Sequence, residues 1–287
     1  MGRRRDDFFV GTVWGTAIGF NLGVTWRDGI LILPALVITL LIRTFGSYRF
    51  ELIAEYFALT VVATTAFGIL SYLSMTTARP LADIQLEAAD RVLGFDWLAG
   101  FNWLQAHSAV NRALGFIYGS LVYQTLYFGA LFGLMEKRDV LREMFWIVFS
   151  AGILTSACAA LFPAYGTFET FQLRDHGGFL TDMARLHAGR DLHFFLSKMT
   201  GVVSFPSFHT TMALAYIYGF RRAEGIGWLF AAWNVAMLFA IPFFGGHYLV
   251  DMIAGAGVML LSLAIVKVVP RLIALLRLVT AGVEATA

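Results

Sequence analysis

Two short segments near the C-terminus contain the residues best suited to chemistry. They are Ser204-Phe205-Pro206-Ser207-Phe208-His209 and Gly245-Gly246-His247-Tyr248-Leu249-Val250-Asp251. Each has a histidine at the beginning of an apolar stretch, and an aspartate follows the second histidine four residues later. Residues four apart lie on one face of a helix, so we expect Asp251 to accept a hydrogen bond from the ring of His247. Such a bond fixes the tautomer of an imidazole and stabilises its cation.

The helix starts predicted at both motifs add a place for an anion. Pro206 and Ser207 are typical of the first turn and the N-cap of a helix, and Gly245-Gly246 precedes the second helix. Free main-chain N–H groups and the positive ends of two helix dipoles suit a phosphate group. One histidine can then attack phosphorus while the other protonates the departing oxygen. These residues predict phosphoryl transfer through a phosphohistidine.

The composition indicates a protein of the membrane. Hydrophobic residues make up 59% of the 287 residues, the mean hydropathy is +0.72, and charged residues make up 14%. Soluble domains contain about 25% charged residues. The net charge of +2 gives no reason to expect nucleic acid as a partner. We therefore expect an all-α fold, a polytopic helical membrane bundle that forms one integral membrane domain over residues 1–287.

Eight apolar runs have the length of a membrane span, about 17–25 residues. They cover residues 8–26, 29–45, 52–75, 113–135, 142–163, 204–220, 226–244 and 246–268. The last six predict a six-helix catalytic core over residues 52–268, and residues 1–50 supply one or two accessory N-terminal spans. The run 8–26 contains Asn21 and many glycines, so it could instead lie in the membrane interface. It lacks a clear cleavage site, and we expect it to be retained.

Two long polar segments, residues 76–112 and 164–203, separate the spans. In the first, apolar and tryptophan residues alternate with acidic ones, which is typical of a stretch lying along the lipid headgroups. The basic residues set the orientation, because Lys and Arg are enriched in cytoplasmic loops. If all eight runs cross, one face collects 13 of the 21 basic residues: Arg3, Arg4, Arg5, Arg43, Arg49, Lys137, Arg138, Arg142, Arg221, Arg222, Lys267, Arg271 and Arg277. We expect both histidine motifs on the other, extracytoplasmic face of the cytoplasmic membrane.

The motifs resemble those of the type 2 phosphatidic acid phosphatase superfamily, whose members act on lipid phosphates in membranes. Pro206-Ser207-Phe208-His209 is similar to its second motif, with Phe in place of Gly, and His247 to Asp251 followed by Ala254-Gly255 is similar to its third. The resemblance implies His247 as the nucleophile, Asp251 as its partner and His209 as the general acid. It also implies a membrane lipid phosphate as substrate, and we expect no cofactor.

The sequence departs from the superfamily pattern at two basic positions. Ile241 stands where the third motif usually has arginine, and Tyr72 where the first motif has lysine, although Arg79-Pro80 fits the end of that first motif. A branch lacking these basic residues includes fungal inositol phosphorylceramide synthase, which transfers a phosphorylated headgroup to a lipid alcohol. The Gly-Gly-His-Tyr form of the third motif is similar to that branch, which implies a lipid alcohol as a possible acceptor.

Several basic residues on the predicted outer face are candidates to replace the missing phosphate ligands. They are Arg79, Arg112, Arg174, Arg185, Arg190 and Lys198. We favour Lys198 because it is near His209 in sequence, and we expect residues 174–198 to fold over the pocket as a lid that donates a ligand. Ser207 is either an N-cap, a phosphate ligand, or both.

Two other interpretations compete with the phosphoryl-transfer enzyme. A transporter or flippase of phosphorylated lipids would place its site at the middle of the membrane, whereas both motifs lie at the ends of spans and no inverted repeat is visible. A zinc site could be built from His247, Asp251 and His209, but helix N-termini favour anions. Polar residues inside a predicted span are more typical of hydrogen bonds between helices than of a site. They are Tyr118, Ser120 and Gln124.

Overall fold

The chain folds as a bundle of α-helices. A computed structural model describes residues 21–23, 46–173, 178–190 and 192–284, together with four isolated positions between 37 and 44. Within these residues there are eleven α-helices and one pair of three-residue strands, which confirms the all-α prediction. The helices are α1 Tyr48–Met75, α2 Asp83–Val92, α3 Trp97–Ala106, α4 Ser108–Gly119, α5 Leu121–Leu134, α6 Arg138–Leu161, α7 Thr167–Thr170, α8 Phe179–His187, α9 Phe208–Phe220, α10 Gly227–Phe244 and α11 Leu249–Glu284.

In the part of the chain that the structure describes, four helices are long and apolar enough to cross a membrane, so the protein is an integral membrane protein. They are α1, α6, α10 and the part of α11 up to Val269. The span predicted at 113–135 is divided at Ser120, where α4 ends and α5 begins. Helix α9 has 13 residues and is shorter than the run 204–220, because the chain around Pro206 is not helical. Helix α11 continues to Glu284, beyond the predicted end at 268.

Three residues of the N-terminal run 8–26 are described, and they form extended chain. Residues Asn21–Gly23 form β1, which pairs in parallel with β2, His193–Phe195, so that Asn21 lies opposite His193. The helical span expected over 8–26 is therefore wrong at residues 21–23. The rest of that run, and most of the run 29–45, lie outside the described residues.

An aromatic core joins helices α1, α5, α6 and α9. Phe128, Phe132, Tyr216 and Phe220 are fully buried within it. The helices approach closely at a glycine of α9, since a Cβ atom at Gly219 would lie 2.6 Å from the ring of Phe128. This packing fixes α9, whose first turn carries one of the two motif histidines.

Ion pairs gather at the end of the bundle opposite the histidine motifs. The Glu143 carboxylate of α6 lies 2.8 Å from the guanidinium of Arg222 and 2.8 Å from the ammonium group of Lys267. It thereby links the C-terminal end of α9 to the later part of α11. Arg49 pairs with Glu136 at the same end. All of these cations belong to the set predicted to face the cytoplasm.

The polar segment 76–112 packs against the histidine end of the bundle instead of lying wholly along the headgroups. Trp97 is buried, and its indole N–H donates to the carbonyl of Pro242 at 2.9 Å. Its ring stacks against Phe171 from the second polar segment, with centroids 5.3 Å apart. Trp103 is 55% exposed, so its position at the lipid headgroups stays a prediction. The same prediction is wrong for Trp97, which is buried.

Candidate active site

The two histidine motifs meet at one end of the bundle, as predicted. The ring centroids of His209 and His247 lie 6.1 Å apart. The Ser207 N–H, just before α9, donates to the carbonyl of Asp251 in α11 at 3.0 Å. A side chain at Gly255 would collide with the Ser207 carbonyl, so the first turns of α9 and α11 cross in direct main-chain contact.

The ring of His247 is oriented by a main-chain carbonyl. Its Nδ1 lies 2.9 Å from the carbonyl oxygen of Ser204. Because a carbonyl only accepts, Nδ1 carries the proton and Nε2 keeps its lone pair. The ring is buried, and burial lowers the pKa of His247 to about 4, although the bond to Ser204 acts in the opposite direction. The geometry thus produces a neutral imidazole with a free Nε2, which is the nucleophilic form.

Asp251 lies beside the ring of His247, but it is not the hydrogen-bond acceptor that we predicted. Helix α11 begins at Leu249, two residues after His247, and Asp251 is its third residue. Its Oδ2 accepts from the Tyr248 N–H at 2.9 Å, the reciprocal bond that an acidic residue makes at this helix position. The same oxygen lies 3.4 Å from Nδ1 of His247, so the carboxylate contacts the ring without replacing Ser204 as the hydrogen-bond acceptor. It is fully buried and close enough to stabilise an imidazolium.

His209 lies in the first turn of α9, and its ring is stacked on Tyr118. The two ring centroids are 4.8 Å apart with an angle of 15° between the planes. Ser207 is the N-cap, and its Oγ accepts from the Thr210 N–H at 3.3 Å. The N–H groups of Phe208 and His209 have no acceptor in the described part of the chain. They leave two donors and a positive helix end beside the histidines.

Two aspartates of α2 support the site from outside the motifs. The carboxylate of Asp90 accepts from the N–H groups of Leu249 and Val250 at 2.7 and 2.9 Å. Asp83 accepts from the main chain of Tyr165 and Gly166 at 3.0 and 2.7 Å. Asp90 therefore occupies the N-terminus of α11, and the prediction that both helix starts are free for phosphate is wrong at this helix.

Sequence reasoning missed these aspartates, although a signal was present. Asp83, Leu86 and Asp90 are spaced by three and then four residues, so they share the buried face of α2. An acidic residue on an apolar helix face needs donors, and here the donors are the first N–H groups of another helix. Burial raises the pKa of Asp90, and the two N–H bonds oppose that effect.

The glycine pair before His247 allows the loop to pass close to the ring. A Cβ atom at Gly245 would lie 2.6 Å from Cδ2 and 3.1 Å from Nε2 of His247. Gly246 has a φ of +66°, which L side chains rarely adopt, and its carbonyl accepts from the Thr167 N–H at 2.9 Å. Glycine at 245 leaves space beside Nε2, and glycine at 246 leaves space for the ring of Phe168.

A family model described as the PAP2 superfamily matches residues 84–265. The matched range begins in α2 and contains both histidine motifs. The chain belongs to the PAP2 superfamily. Membership supports an enzyme of the phosphatase and phosphotransferase type, acting on phosphate esters. No curated protein and no solved structure gives a significant match.

In the described part of the chain, no hydrogen bond or ion pair joins the predicted basic ligands of this PAP2 protein to the histidines. Four of them have exposed side chains with no hydrogen bond or ion pair in the described part of the chain: Arg79, Arg112, Arg190 and Lys198. The ammonium group of Lys198 lies 5.4 Å from the ring of Phe195. Arg185 pairs with Asp182 at 3.4 Å, and Arg174 lies outside the described residues. Their role as phosphate ligands stays a prediction.

The two positions that depart from the superfamily pattern have structural roles. Tyr72 is fully buried, and its hydroxyl donates to the carboxylate of Asp182 at 2.7 Å and accepts from the Thr200 N–H at 3.3 Å. It thus anchors the polar segment 164–203 to α1. Ile241 is fully buried and packs with Ala213 and other apolar residues. A cation at either position would be buried in an apolar cluster.

The polar residues in the span that is divided at Ser120 have two roles: two of them join helices, and one contacts the candidate site. Ser120 accepts from the indole N–H of Trp233 at 2.8 Å, and the amide of Gln124 accepts from Asn234 at 2.6 Å. These bonds between helices confirm the structural interpretation for both residues. Tyr118 instead belongs to the site, since it stacks on His209. In the described residues, no group of three or more His, Cys, Asp or Glu side chains is arranged to hold a metal ion.

Proposed function

We propose that this protein transfers the phosphoryl group of a membrane lipid phosphate through a phosphohistidine on His247. The observation that carries the proposal is the hydrogen bond from Nδ1 to the Ser204 carbonyl. It leaves Nε2 with its lone pair, with no side chain at Gly245 against it, and the ring of His209 lies 6.1 Å away between centroids. A neutral, oriented imidazole is the form required for attack on phosphorus.

The reaction proceeds in two balanced displacements. In the first, Nε2 of His247 attacks phosphorus, the bond between phosphorus and the lipid oxygen breaks, and His209 gives its proton to that oxygen. In the second, His209 takes a proton from water or from an alcohol, whose oxygen attacks phosphorus and breaks the phosphorus–nitrogen bond. The negative charge of the phosphate favours the protonated ring of His209 at the start. Asp251 stabilises the positive charge that His247 gains.

The phosphate oxygens need donors and cations. The N–H groups of Phe208 and His209 supply two donors at the positive end of α9. A helix end contributes only about half a charge, so cationic side chains must complete the site. We propose Ser207 as a further contact and Lys198, Arg190 and Arg79 as cations, with the segment 174–198 acting as a lid. The anchoring of this segment by Tyr72 supports its position near the histidines.

The substrate reaches the site from the extracytoplasmic side in this proposal. The ion pairs of Arg49, Arg138, Arg222 and Lys267 gather at the opposite end of the bundle. Basic residues are enriched on the cytoplasmic side of membrane proteins. This distribution supports a site that faces outward in the cytoplasmic membrane.

Phosphate release from a panel of lipid phosphates tests the proposal. His247→Ala and His209→Ala should each abolish turnover in folded protein, and Asp251→Asn should reduce it less because the nucleophile remains. His107→Ala is a matched control, since His107 is an exposed histidine outside both motifs. Rapid acid-free quenching should trap a phosphorylated protein that is absent in His247→Ala. Full turnover by His247→Ala would overturn the proposal.

Product analysis separates hydrolysis from transfer, and a lipid-movement measurement separates both reactions from transport. A hydrolase releases inorganic phosphate in water, whereas a phosphotransferase releases the lipid alcohol only when an acceptor alcohol is supplied. A transporter or flippase would move a fluorescent lipid phosphate between leaflets without releasing either product. Transport at an equal rate in His247→Ala would favour that alternative.

A further inference from the structure

Three aromatic rings from three helices stack at the histidine end of the bundle. They belong to Tyr118 in the last turn of α4, His209 in the first turn of α9 and Phe244, the last residue of α10. The ring centroid of Tyr118 lies 4.8 Å from that of His209 and 5.9 Å from that of Phe244, with angles of 15° and 27° between the planes. Nearly parallel contacts of this kind stabilise pairs of aromatic rings. Tyr118, which lies outside both motifs, thus contacts a residue of the first motif and the residue just before the second.

The surface of α4 around Tyr118 has the shape that Phe244 requires. Gly115 lies three residues earlier on the same face of the helix, and a Cβ atom there would lie 2.9 Å from Cε1 of Phe244. A larger residue at this position would push the ring of Phe244 away. Phe244 is followed by the glycine pair and then by His247. Gly115 and Tyr118 therefore place α4 against the start of the loop that carries the proposed nucleophile.

The orientation of the His209 ring depends on this stack. In the described part of the chain, neither ring nitrogen of His209 makes a hydrogen bond, whereas Nδ1 of His247 is bound to the Ser204 carbonyl. The ring of His209 instead stacks on Tyr118 and approaches the ring of His247 at 55°, with centroids 6.1 Å apart. A nearly parallel stack restricts the tilt of a ring, so Tyr118 supplies for His209 the constraint that Ser204 supplies for His247.

We propose that Tyr118 is the positioning residue of the general acid, and that its ring holds the imidazole of His209 in the plane from which the proton reaches the departing lipid oxygen. The inference rests on the proposed function, because it explains the placement of the acid which that function requires. Proton transfer needs a heavy-atom distance of about 2.6–3.2 Å, so a tilted ring loses the transfer even when His209 is present. The role belongs to the face of the Tyr118 ring, and its hydroxyl makes no hydrogen bond in the described part of the chain.

Replacement of the ring tests the inference. For a long-chain alkyl phosphate we expect kcat to fall about ten- to a hundred-fold in Tyr118→Leu with little change in KM, and to stay within about two-fold in Tyr118→Phe. Tyr123→Leu is the matched control, since Tyr123 is 57% exposed on α5, and it should leave kcat unchanged. A loss in Tyr118→Phe as large as that in Tyr118→Leu would assign the effect to the hydroxyl and overturn the inference.

The leaving group separates a lost general acid from a damaged site. Nitrophenolate departs from phosphorus without being protonated, so kcat for 4-nitrophenyl phosphate should change little in Tyr118→Leu, as it should in His209→Ala. Equal losses on the alkyl and nitrophenyl esters would overturn the inference. A double-mutant cycle gives the same information for the alkyl ester, because Tyr118→Leu should cause no further loss in a His209→Ala background. Losses that multiply would show that Tyr118 acts apart from His209.

NMR gives a readout that does not require turnover. The ring current of Tyr118 should shift the imidazole C–H resonance of His209, which is assigned by its absence in His209→Ala. The resonance should move downfield in Tyr118→Leu and keep its position in Tyr118→Phe. An unmoved resonance in Tyr118→Leu would overturn the inference. If the resonance moves as expected but wild-type protein releases phosphate from neither ester, the proposed function fails, whereas the placement of the His209 ring by Tyr118 stands.

Discussion

At the scale of single residues, the site depends on keeping one nitrogen of His247 neutral and unobstructed. The bond to the Ser204 carbonyl assigns the proton to Nδ1, and the buried position lowers the pKa of the ring. Asp251 lies 3.4 Å away and can stabilise positive charge when it appears. In the proposed mechanism, the neutral ring of His247 is the nucleophile, and the carboxylate acts once the phosphorus–nitrogen bond forms.

The titration of His247 follows from this environment. Its imidazole should titrate near pH 4, below the ordinary value of 6.5, because burial penalises the cation. Between pH 6.5 and 4 the unfolded chain would bind a proton that the folded chain does not, so this residue makes folding stability decrease as the pH falls through that window. NMR of labelled histidine, assigned with His247→Asn, measures the midpoint. A midpoint at pH 6 or above would contradict the burial argument.

A methyl group at Gly245 should disturb the nucleophile directly. The Cβ atom of Gly245→Ala would lie 3.1 Å from Nε2 and closer still to Cδ2, so the ring must shift. Displacement of a reacting atom by about 1 Å can cost about a hundred-fold in rate, and we expect a fall in kcat of this order. Gly201→Ala, where a Cβ atom meets nothing within 4 Å, is the control. Equal kcat in both variants would show that the ring tolerates the contact.

At the scale of elements, sequence periodicity predicted the helices but not how their ends are completed. The histidine motifs could be placed at helix starts because a serine such as Ser207 is a common N-cap and a glycine pair is typical of a turn before a helix. Helix α11 begins at Leu249, two residues after His247. Its first N–H groups donate to Asp90, which lies about 160 residues earlier in the chain. A contact over such a separation has no local signature, apart from an acidic residue on the buried face of α2. The break at Ser120 is likewise set by its bond to Trp233.

Removal of the Asp90 carboxylate tests whether α2 positions the histidine loop. Asp90→Ala leaves two buried N–H groups of α11 without acceptors, which should cost roughly 1–3 kcal/mol of unfolding free energy. The fall in kcat should exceed any change in KM, since the shifted loop carries the proposed nucleophile His247. Glu87→Ala is the control one turn earlier, because Glu87 pairs at the surface with Arg91. Thermal unfolding in detergent and steady-state kinetics give the two measurements.

At the scale of the whole molecule, charge is divided between two ends. The histidine end contains carboxylates that accept main-chain N–H bonds, such as Asp83 and Asp90. The other end contains ion pairs built on Glu143, Glu136 and Glu55. Sequence alone predicted this division from the basic loops, because loop charge is a property of the chain and needs no tertiary contact. The side of the membrane that each end faces is a prediction of the same argument.

Cysteine labelling measures that orientation. In a Cys158→Ala background, Thr181→Cys at the histidine end should react with an impermeant maleimide added outside intact cells. Glu224→Cys, in the loop between α9 and α10, should react only after the membrane is opened. Both positions are exposed, so the reagent can reach them on the correct side. The reverse pattern would show that the histidine end faces the cytoplasm.

The acceptor that directs His247 is a peptide carbonyl, and this has a consequence for how the site tolerates change. Every amino acid has that oxygen, so Ser204→Ala keeps the ring's partner and loses only the separate hydroxyl bond to Tyr165. The orientation of the His247 ring therefore depends on the course of the main chain from 204 to 207 and not on a side chain that a substitution would remove. Small residues at position 204 should therefore preserve the chemistry, whereas a large side chain would not fit, because Ser204 is buried.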